Sequence, residues 1–303
     1  MKKVLVIAGP TAVGKSDFAV RLAEELHAEI ISGDSIQVYK GLNIGSGKVT
    51  EEEMKGKKHY LIDILEPDQS YNVADFQTMA RELIEKEPLK IICGGTGLYL
   101  KSCLYDYQFQ KEEDSLPSVD PQLEEMTNEQ LHAMLEETDP VQAEKIHVNN
   151  RRRLLRSLTI QKRSGKVQSE LEKEQEHKLI YDAKIIGCTM EREKLYARIN
   201  KRVEGMFEKG LKEEVEGLLK QGITFDMQSM QGIGYKEFRP YFEGSATIEE
   251  VKAEIQKHSR QFAKRQYTWL NHQMPVQWCD MSDAEEVERT VEDINNWYTN
   301  VSK

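Results

Sequence analysis

The sequence predicts an α/β fold, a parallel sheet with helices on both faces that carries an all-helical insertion. Three observations lead there. Short apolar runs alternate with segments of helical period over roughly the first hundred residues. A glycine-containing octapeptide, GPTAVGKS at residues 9–16, lies between the first apolar run and the first helical segment. After about residue 110 the strand signals stop, and only helical spacing continues.

The elements follow in order. VLVIA (4–8) is a buried-strand run, and Asp17 to His27 carries Phe18, Leu22 and Leu26 at helical spacing. EIIS (29–32), YLIDIL (60–65) and LKIIC (89–93) are the next strands, with a helix from Val73 to about Glu87 between the last two. Strands separated by helices require crossover connections and hence parallel pairing. Residues 112–178 read as the helical insertion. AKIIGC (183–188) returns to the sheet, helices are expected over 191–221, 247–271 and 284–300, and VQWC (276–279) is a last strand. The expected division is therefore 1–111 with 179–303 as the α/β core and 112–178 as the inserted domain.

Ligands on such a sheet bind beyond the carboxyl ends of the strands. Those ends carry GPTAVGKS, SGDS and GGTG (94–97), so three polar loops should converge on one cleft. The first matches G-x-x-x-x-G-K-[ST] in a strand–turn–helix setting, which makes the core P-loop NTPase-like. Backbone N–H groups of Gly9, Pro10, Thr11, Ala12, Val13, Gly14, Lys15 and Ser16 (proline excepted) and the helix N-terminus cradle phosphate. Lys15 reaches a terminal phosphate, and the Ser16 hydroxyl is the candidate ligand for Mg2+. The loop reports phosphate but not the reaction. Asp34 is a candidate general base, with a carboxylate near the metal or a helix N-cap as alternatives.

The formal charge of −10 makes the whole chain a poor attractor of nucleic acid, but it leaves room for a local basic patch. That patch is NNRRRLLRSLTIQKRSGK (149–166), where Arg152 and Arg156 share a helical face, Arg153 lies beside them, and Leu154, Leu155 and Leu158 anchor the other side. Its arginines suit a polyanion or a lid over nucleotide phosphates. A second basic stretch, KHSRQFAKRQYTW (257–269), reads either as phosphate contact or as an amphipathic helix docked on the core. QGIGYKEF (231–238) reads as a loop with Tyr235 and Lys236 exposed. Arg198 and Arg202, four apart, form a candidate phosphate clamp. The four cysteines are scattered without metal-ligand spacing, and no run reaches the ~20 apolar residues of a membrane span. A reducing, cytoplasmic setting is expected.

Taken together, GPTAVGKS, SGDSIQVYKGLNIGSGK, HYLIDIL with YNVADF, GGTGLYL, HVNNRRRLLRSL, MQGIGYKEF and RQFAKRQYTW resemble the tRNA dimethylallyltransferases, also called tRNA isopentenyltransferases, in family order. The departures are GSGKV (45–49), where members often read G-T-A-K-P, and KHY (58–60), where many carry a second histidine. The resemblance implies transfer of a dimethylallyl group from dimethylallyl diphosphate to N6 of adenine 37 in the tRNA anticodon stem-loop. It implies Asp34 as base, with Lys15, Thr11, Arg198 and Arg202 around the diphosphate and Mg2+ on Ser16. It further implies tRNA contacts from Asp34, Ser35, Ile36, Gln37 and Thr96, from Arg152, Arg153, Leu154, Leu155 and Arg156, and from Gln231, Gly232, Ile233, Gly234, Tyr235 and Lys236. A monomer is expected. The competing readings are a small-molecule kinase with a helical lid, a nucleotide-hydrolysing RNA binder, and an adenylate isopentenyltransferase acting on free nucleotide.

Overall fold

The computed structural model describes residues 1–109, 120–174 and 178–300. The chain forms two compact units, Met1–Tyr105 with Leu179–Lys303, and Asp106–Lys178.

The first unit is built on a six-stranded sheet in the order β3-β2-β4-β1-β5-β6, with every pairing parallel. The strands are β1 (Lys3–Ala8), β2 (Glu29–Ser32), β3 (His59–Tyr60), β4 (Lys90–Gly94), β5 (Asp182–Thr189) and β6 (Gln277–Asp280). The early helices are α1 (Lys15–Glu25), α2 (Glu51–Met54), α3 (Val73–Ile84) and α4 (Gly97–Leu104). In the second unit lie α5 (Pro121–Glu124), α6 (Asn128–Thr138), α7 (Pro140–Lys145), α8 (Arg151–Ser164) and α9 (Gln168–Glu174). The chain returns to the first unit with α10 (Arg192–Glu208), α11 (Leu211–Lys220), α12 (Arg239–Phe242), α13 (Ile248–Gln273) and α14 (Ala284–Thr299).

Strand alternation sorts the core into two layers. Val4, Val6, Ala8, Ile31 and Ile92 face one way and pack with Phe76 and Ala80 of α3 and Leu100 and Leu104 of α4. Leu5, Ile7, Ile30, Ile91 and Ile186 face the other way and pack with Phe18 and Leu22 of α1 and Val291 and Ile294 of α14. Each buried Val, Leu, Ile or Phe among them stabilises the fold by about 1.5–3 kcal/mol relative to exposure.

Three elements differ from the sequence expectation. The strand read over residues 60–65 pairs only at His59–Tyr60. Leu61 and Asp63 adopt left-handed backbone, and Ile64 and Leu65 donate N–H bonds to Val38 O at 2.8 and 3.0 Å. The segment therefore braces the loop after β2, where Asp63 also pairs with Lys48. The helix expected over 191–221 breaks at Gly210, whose φ of 93° ends α10 and opens α11. Residues 231–238 are not a plain loop, since short 3-10 turns cover Gln228–Gln231 and Lys236–Phe238.

The second unit has its own core of Leu123, Leu131, Leu135, Ile146, Leu154 and Leu158. It begins at Asp106, ahead of the composition change; the expected boundary at residue 112 lies outside the described residues.

Candidate active site and nucleic-acid contact segments

The parallel sheet brings the ends of β1, β2 and β4 to one edge, and glycine makes their loops touch. Gly33 N–H donates to Cys93 O at 2.8 Å. A Cβ on Gly94 would lie 2.5 Å from Gly33 O, and one on Gly95 would lie 2.8 Å from Gly9 O. The three loops named from the sequence therefore form one surface.

The phosphate loop turns through Ala12 (φ 65°) and Gly14 (φ 103°) into α1. No side chain caps α1, so the N–H groups of its first turn remain for an anion. Lys15 is half-buried and its Nζ donates to Pro10 O at 3.1 Å. Burial holds its pKa below the usual lysine value; the Cys93 thiol opposes this, while the Arg202 charge adds to it. Ser16 is exposed at the second position of α1. The Cys93 thiol behind it is pushed up to about 11 by burial.

Asp34 is half-buried, and its two oxygens have different surroundings. Oδ1 accepts the N–H groups of Ile36 (2.8 Å) and Gln37 (3.3 Å), so the carboxylate caps a turn, though not a helix. Oδ2 receives no hydrogen bond from the described residues. The Asp34 charge acts on both Lys15 and Arg202 and favours their protonated forms. Arg202 donates to Gly47 O at 3.0 Å, and a Cβ on Gly47 would lie 1.6 Å from its Nη2. Arg198 is exposed, its Nη2 3.8 Å from where a Gly14 Cβ would stand. The two arginines thus flank the same cleft at different points, Arg198 at the phosphate loop and Arg202 at the Asp34 loop. Thr96 starts α4 with its side chain unused as a cap.

The segment 231–236 packs on the loop that follows Asp34. A Cβ on Gly232 would lie 3.0 Å from Ile36, and one on Gly234 would lie 2.7 Å from Gly45 O. This corrects the expectation for Tyr235. It is fully buried, its hydroxyl donates to Glu214 Oε1 at 2.8 Å and accepts Ser46 N–H at 3.1 Å. An aromatic ring with a satisfied hydroxyl is a core element here and is not available to RNA. Lys236 is exposed as expected, and Gln231 is exposed as well.

On α8 the arginines separate by role. Arg151 is tied to the carbonyls of Met126 (2.7 Å) and Glu124 (2.6 Å). Arg152, Arg153 and Arg156 are exposed and form no hydrogen bond or ion pair with described residues. Leu154 corrects the contact list for this segment, since it is fully buried in the unit's core and only holds the helix in place. Leu155 is half-buried beside it.

Sequence reading passed over two residues. Glu214 accepts the N–H groups of Asn43 (3.0 Å), Ile44 (2.7 Å) and Gly45 (3.1 Å) as well as the Tyr235 hydroxyl. Gln266, within RQFAKRQYTW, reaches the phosphate loop. Neither carries a local signal, although a glutamine at a buried position of the α13 stripe is one that burial would flag.

For Mg2+, the donor set is hard oxygen. Ser16 supplies one hydroxyl, and no group of three or more His, Cys, Asp or Glu among the described residues could hold a metal. That fits an ion held by one protein oxygen, substrate phosphate oxygens and water.

A parallel sheet with a phosphate-loop sequence at its carboxyl edge and a half-free carboxylate beside it defines a P-loop α/β protein. The IPP transferase family model matches residues 37–273. The tRNA dimethylallyltransferase of Anoxybacillus flavithermus is 50% identical over 300 residues, covering 97% of this chain and 95% of the relative. The tRNA delta(2)-isopentenylpyrophosphate transferase of Staphylococcus epidermidis superposes with a TM-score of 0.72 at 41% identity, over 98% of this chain and 99% of that one. A eukaryotic dimethylallyltransferase acting on tRNA superposes with a TM-score of 0.86 at 28% identity, over 100% of this chain and 81% of that one. The chain belongs to the IPP transferase family, the tRNA dimethylallyltransferases. It is accordingly a prenyltransferase enzyme.

Proposed function

We propose that the protein transfers a dimethylallyl group from dimethylallyl diphosphate to N6 of adenine 37, beside the anticodon of tRNAs that read codons beginning with U. The N6 lone pair forms a bond to the donor's allylic carbon. The bond from that carbon to oxygen breaks, and its electron pair leaves with diphosphate. The N6 proton passes to Asp34 Oδ2.

The observation that carries this reading is the split role of Asp34. Oδ1 is committed to the turn while Oδ2 is unbonded, beside Lys15 and Arg202 at the mouth of the phosphate loop. An exocyclic adenine amine is a weak nucleophile, and a positioned carboxylate removes its proton as the bond forms. The first-turn N–H groups of α1, Lys15, Arg198 and Arg202 offset the charge that develops on diphosphate. Ser16 would hold Mg2+, which when bound adds further charge stabilisation to the leaving group. Thr11 and Thr96 lie on the two glycine loops that border this space and position donor or base. Taking the adenine out of its stack costs a few kcal/mol, less in a loop than in a duplex. Exposed Arg152, Arg153 and Arg156, with Ser35, Gln37, Gln231 and Lys236, supply the tRNA contacts. The protein acts as a monomer.

The test is incubation with Mg2+, labelled dimethylallyl diphosphate and unmodified tRNA. Label should appear on N6 of adenine 37. Transfer of the ATP γ-phosphate to a small acceptor, with no label in RNA, would replace this reading by the kinase with a helical lid. Label on free adenosine nucleotides in preference to tRNA would replace it by the adenylate enzyme.

A further inference from the structure

We infer that Gln266 is a positioning residue that ties the phosphate loop to the GGTG turn and sets the orientation of the diphosphate. Gln266 is 6% exposed, in the C-terminal half of the 26-residue helix α13. Its Oε1 accepts the Thr11 N–H at 3.1 Å, and its Nε2 donates to Gly95 O at 3.0 Å. One amide therefore joins the loop after β1 to the loop after β4. Every other buried position of the α13 stripe (Val251, Ile255, Ser259, Ala263 and Leu270) is apolar or small. A buried amide is costly unless both of its ends are bonded, as they are here.

The neighbours are shaped around it. A Cβ on Gly95 would lie 2.0 Å from Gln266 Nε2. One turn further along α13, the Trp269 ring occupies the space of a Gly97 Cβ, at 2.0 Å. The Thr11 N–H is turned toward Gln266, so the diphosphate is left to the first turn of α1 and to Lys15. The same amide holds the carbonyl of Gly95, next to Thr96. A neutral group is required, because a carboxylate there would add negative charge beside a diphosphate and could not donate to Gly95 O.

The inference rests on the proposed use of the cleft for a diphosphate donor, and its test separates the two. Gln266→Glu keeps the acceptor for Thr11 and lacks the donor for Gly95 until its carboxyl takes a proton. Gln266→Met lacks both. Binding of labelled dimethylallyl diphosphate is measured by equilibrium dialysis, and transfer to tRNA is measured by kcat and KM, across pH 5–8. At pH 8 both variants should show KM for the diphosphate raised at least about tenfold, tenfold being the size of one lost hydrogen bond, with tRNA affinity unchanged. As pH falls, Gln266→Glu should recover relative to the parent while Gln266→Met should not. Lys15 and Asp34 are common to all three proteins, so their titration cancels in the ratio. Equal ratios for the two variants at every pH, or loss of tRNA and diphosphate binding in parallel, would overturn the inference. If Gln266→Met fails to fold, the pH response of Gln266→Glu decides alone. If the parent binds the diphosphate but transfers nothing, the function proposal fails and the binding ratios still decide the role of Gln266.

Discussion

The Tyr235 hydroxyl donates to Glu214 Oε1 at 2.8 Å, and through that carboxylate two segments far apart in sequence become one surface. Glu214 also accepts the N–H groups of Asn43, Ile44 and Gly45, so the loop after Asp34 hangs on a side chain of α11. Tyr235→Phe leaves Glu214 one donor short and the Ser46 N–H unpaired. It should lower unfolding free energy by about 1–2 kcal/mol in urea titration and weaken tRNA binding. The KM for dimethylallyl diphosphate should not change. A variant as stable as the parent would mean that the clasp contributes nothing net.

Asp34→Asn preserves the acceptor for Ile36 and Gln37 but removes the base. Its kcat should fall by about 10²–10⁴, while thermal midpoint and tRNA affinity stay at parent values. Loss of tRNA affinity would instead make Asp34 a recognition group.

The arginines of α8 should respond oppositely to truncation. Arg151→Ala removes bonds to Glu124 and Met126 carbonyls and should destabilise the inserted unit, read as a lower unfolding midpoint. Arg152→Ala, Arg153→Ala and Arg156→Ala should leave the midpoint in place. Each should reduce the slope of log affinity for tRNA against log salt by about 0.7–0.9. A parent-like slope would show that these side chains only face solvent.

Lys15 titrates in the opposite sense to an ion-paired group. Burial puts its folded pKa below 10.5, so the unfolded chain binds the proton more tightly. Its contribution therefore makes the ligand-free protein gain stability as pH rises through the window between the folded pKa and 10.5. Lys15→Met should flatten that part of the profile and abolish diphosphate binding. A profile unchanged by the substitution would show that Lys15 is not the group responsible.

Gly47→Ala places a methyl 1.6 Å from Arg202 Nη2, at a backbone φ of 58° that disfavours side chains. It should displace Arg202 and raise the KM for the diphosphate. Gly56→Ala, also at positive φ but with nothing within 4 Å of its Cβ, should cost stability alone. The pair thus separates steric displacement from backbone strain.

The sequence by itself determined the features that local rules encode. Alternating apolar runs gave the strands, the octapeptide gave a turn that only glycine and a helix start can form, and helical spacing without strands marked the insertion. The exposed faces of Arg152, Arg153 and Arg156 followed from helical periodicity alone. Tertiary structure decided which polar groups are spent on the fold. Arg151 and Arg152 are neighbours of one type, yet only one finds carbonyls to bind. Tyr235, read from the sequence as part of an exposed loop, is drawn inside because Glu214 waits there. The bond from Thr11 to Gln266 spans 255 residues of chain and leaves no mark in either local sequence. Periodicity reports the side a residue faces relative to its own element; whether a donor on another element meets it there depends on how the elements pack.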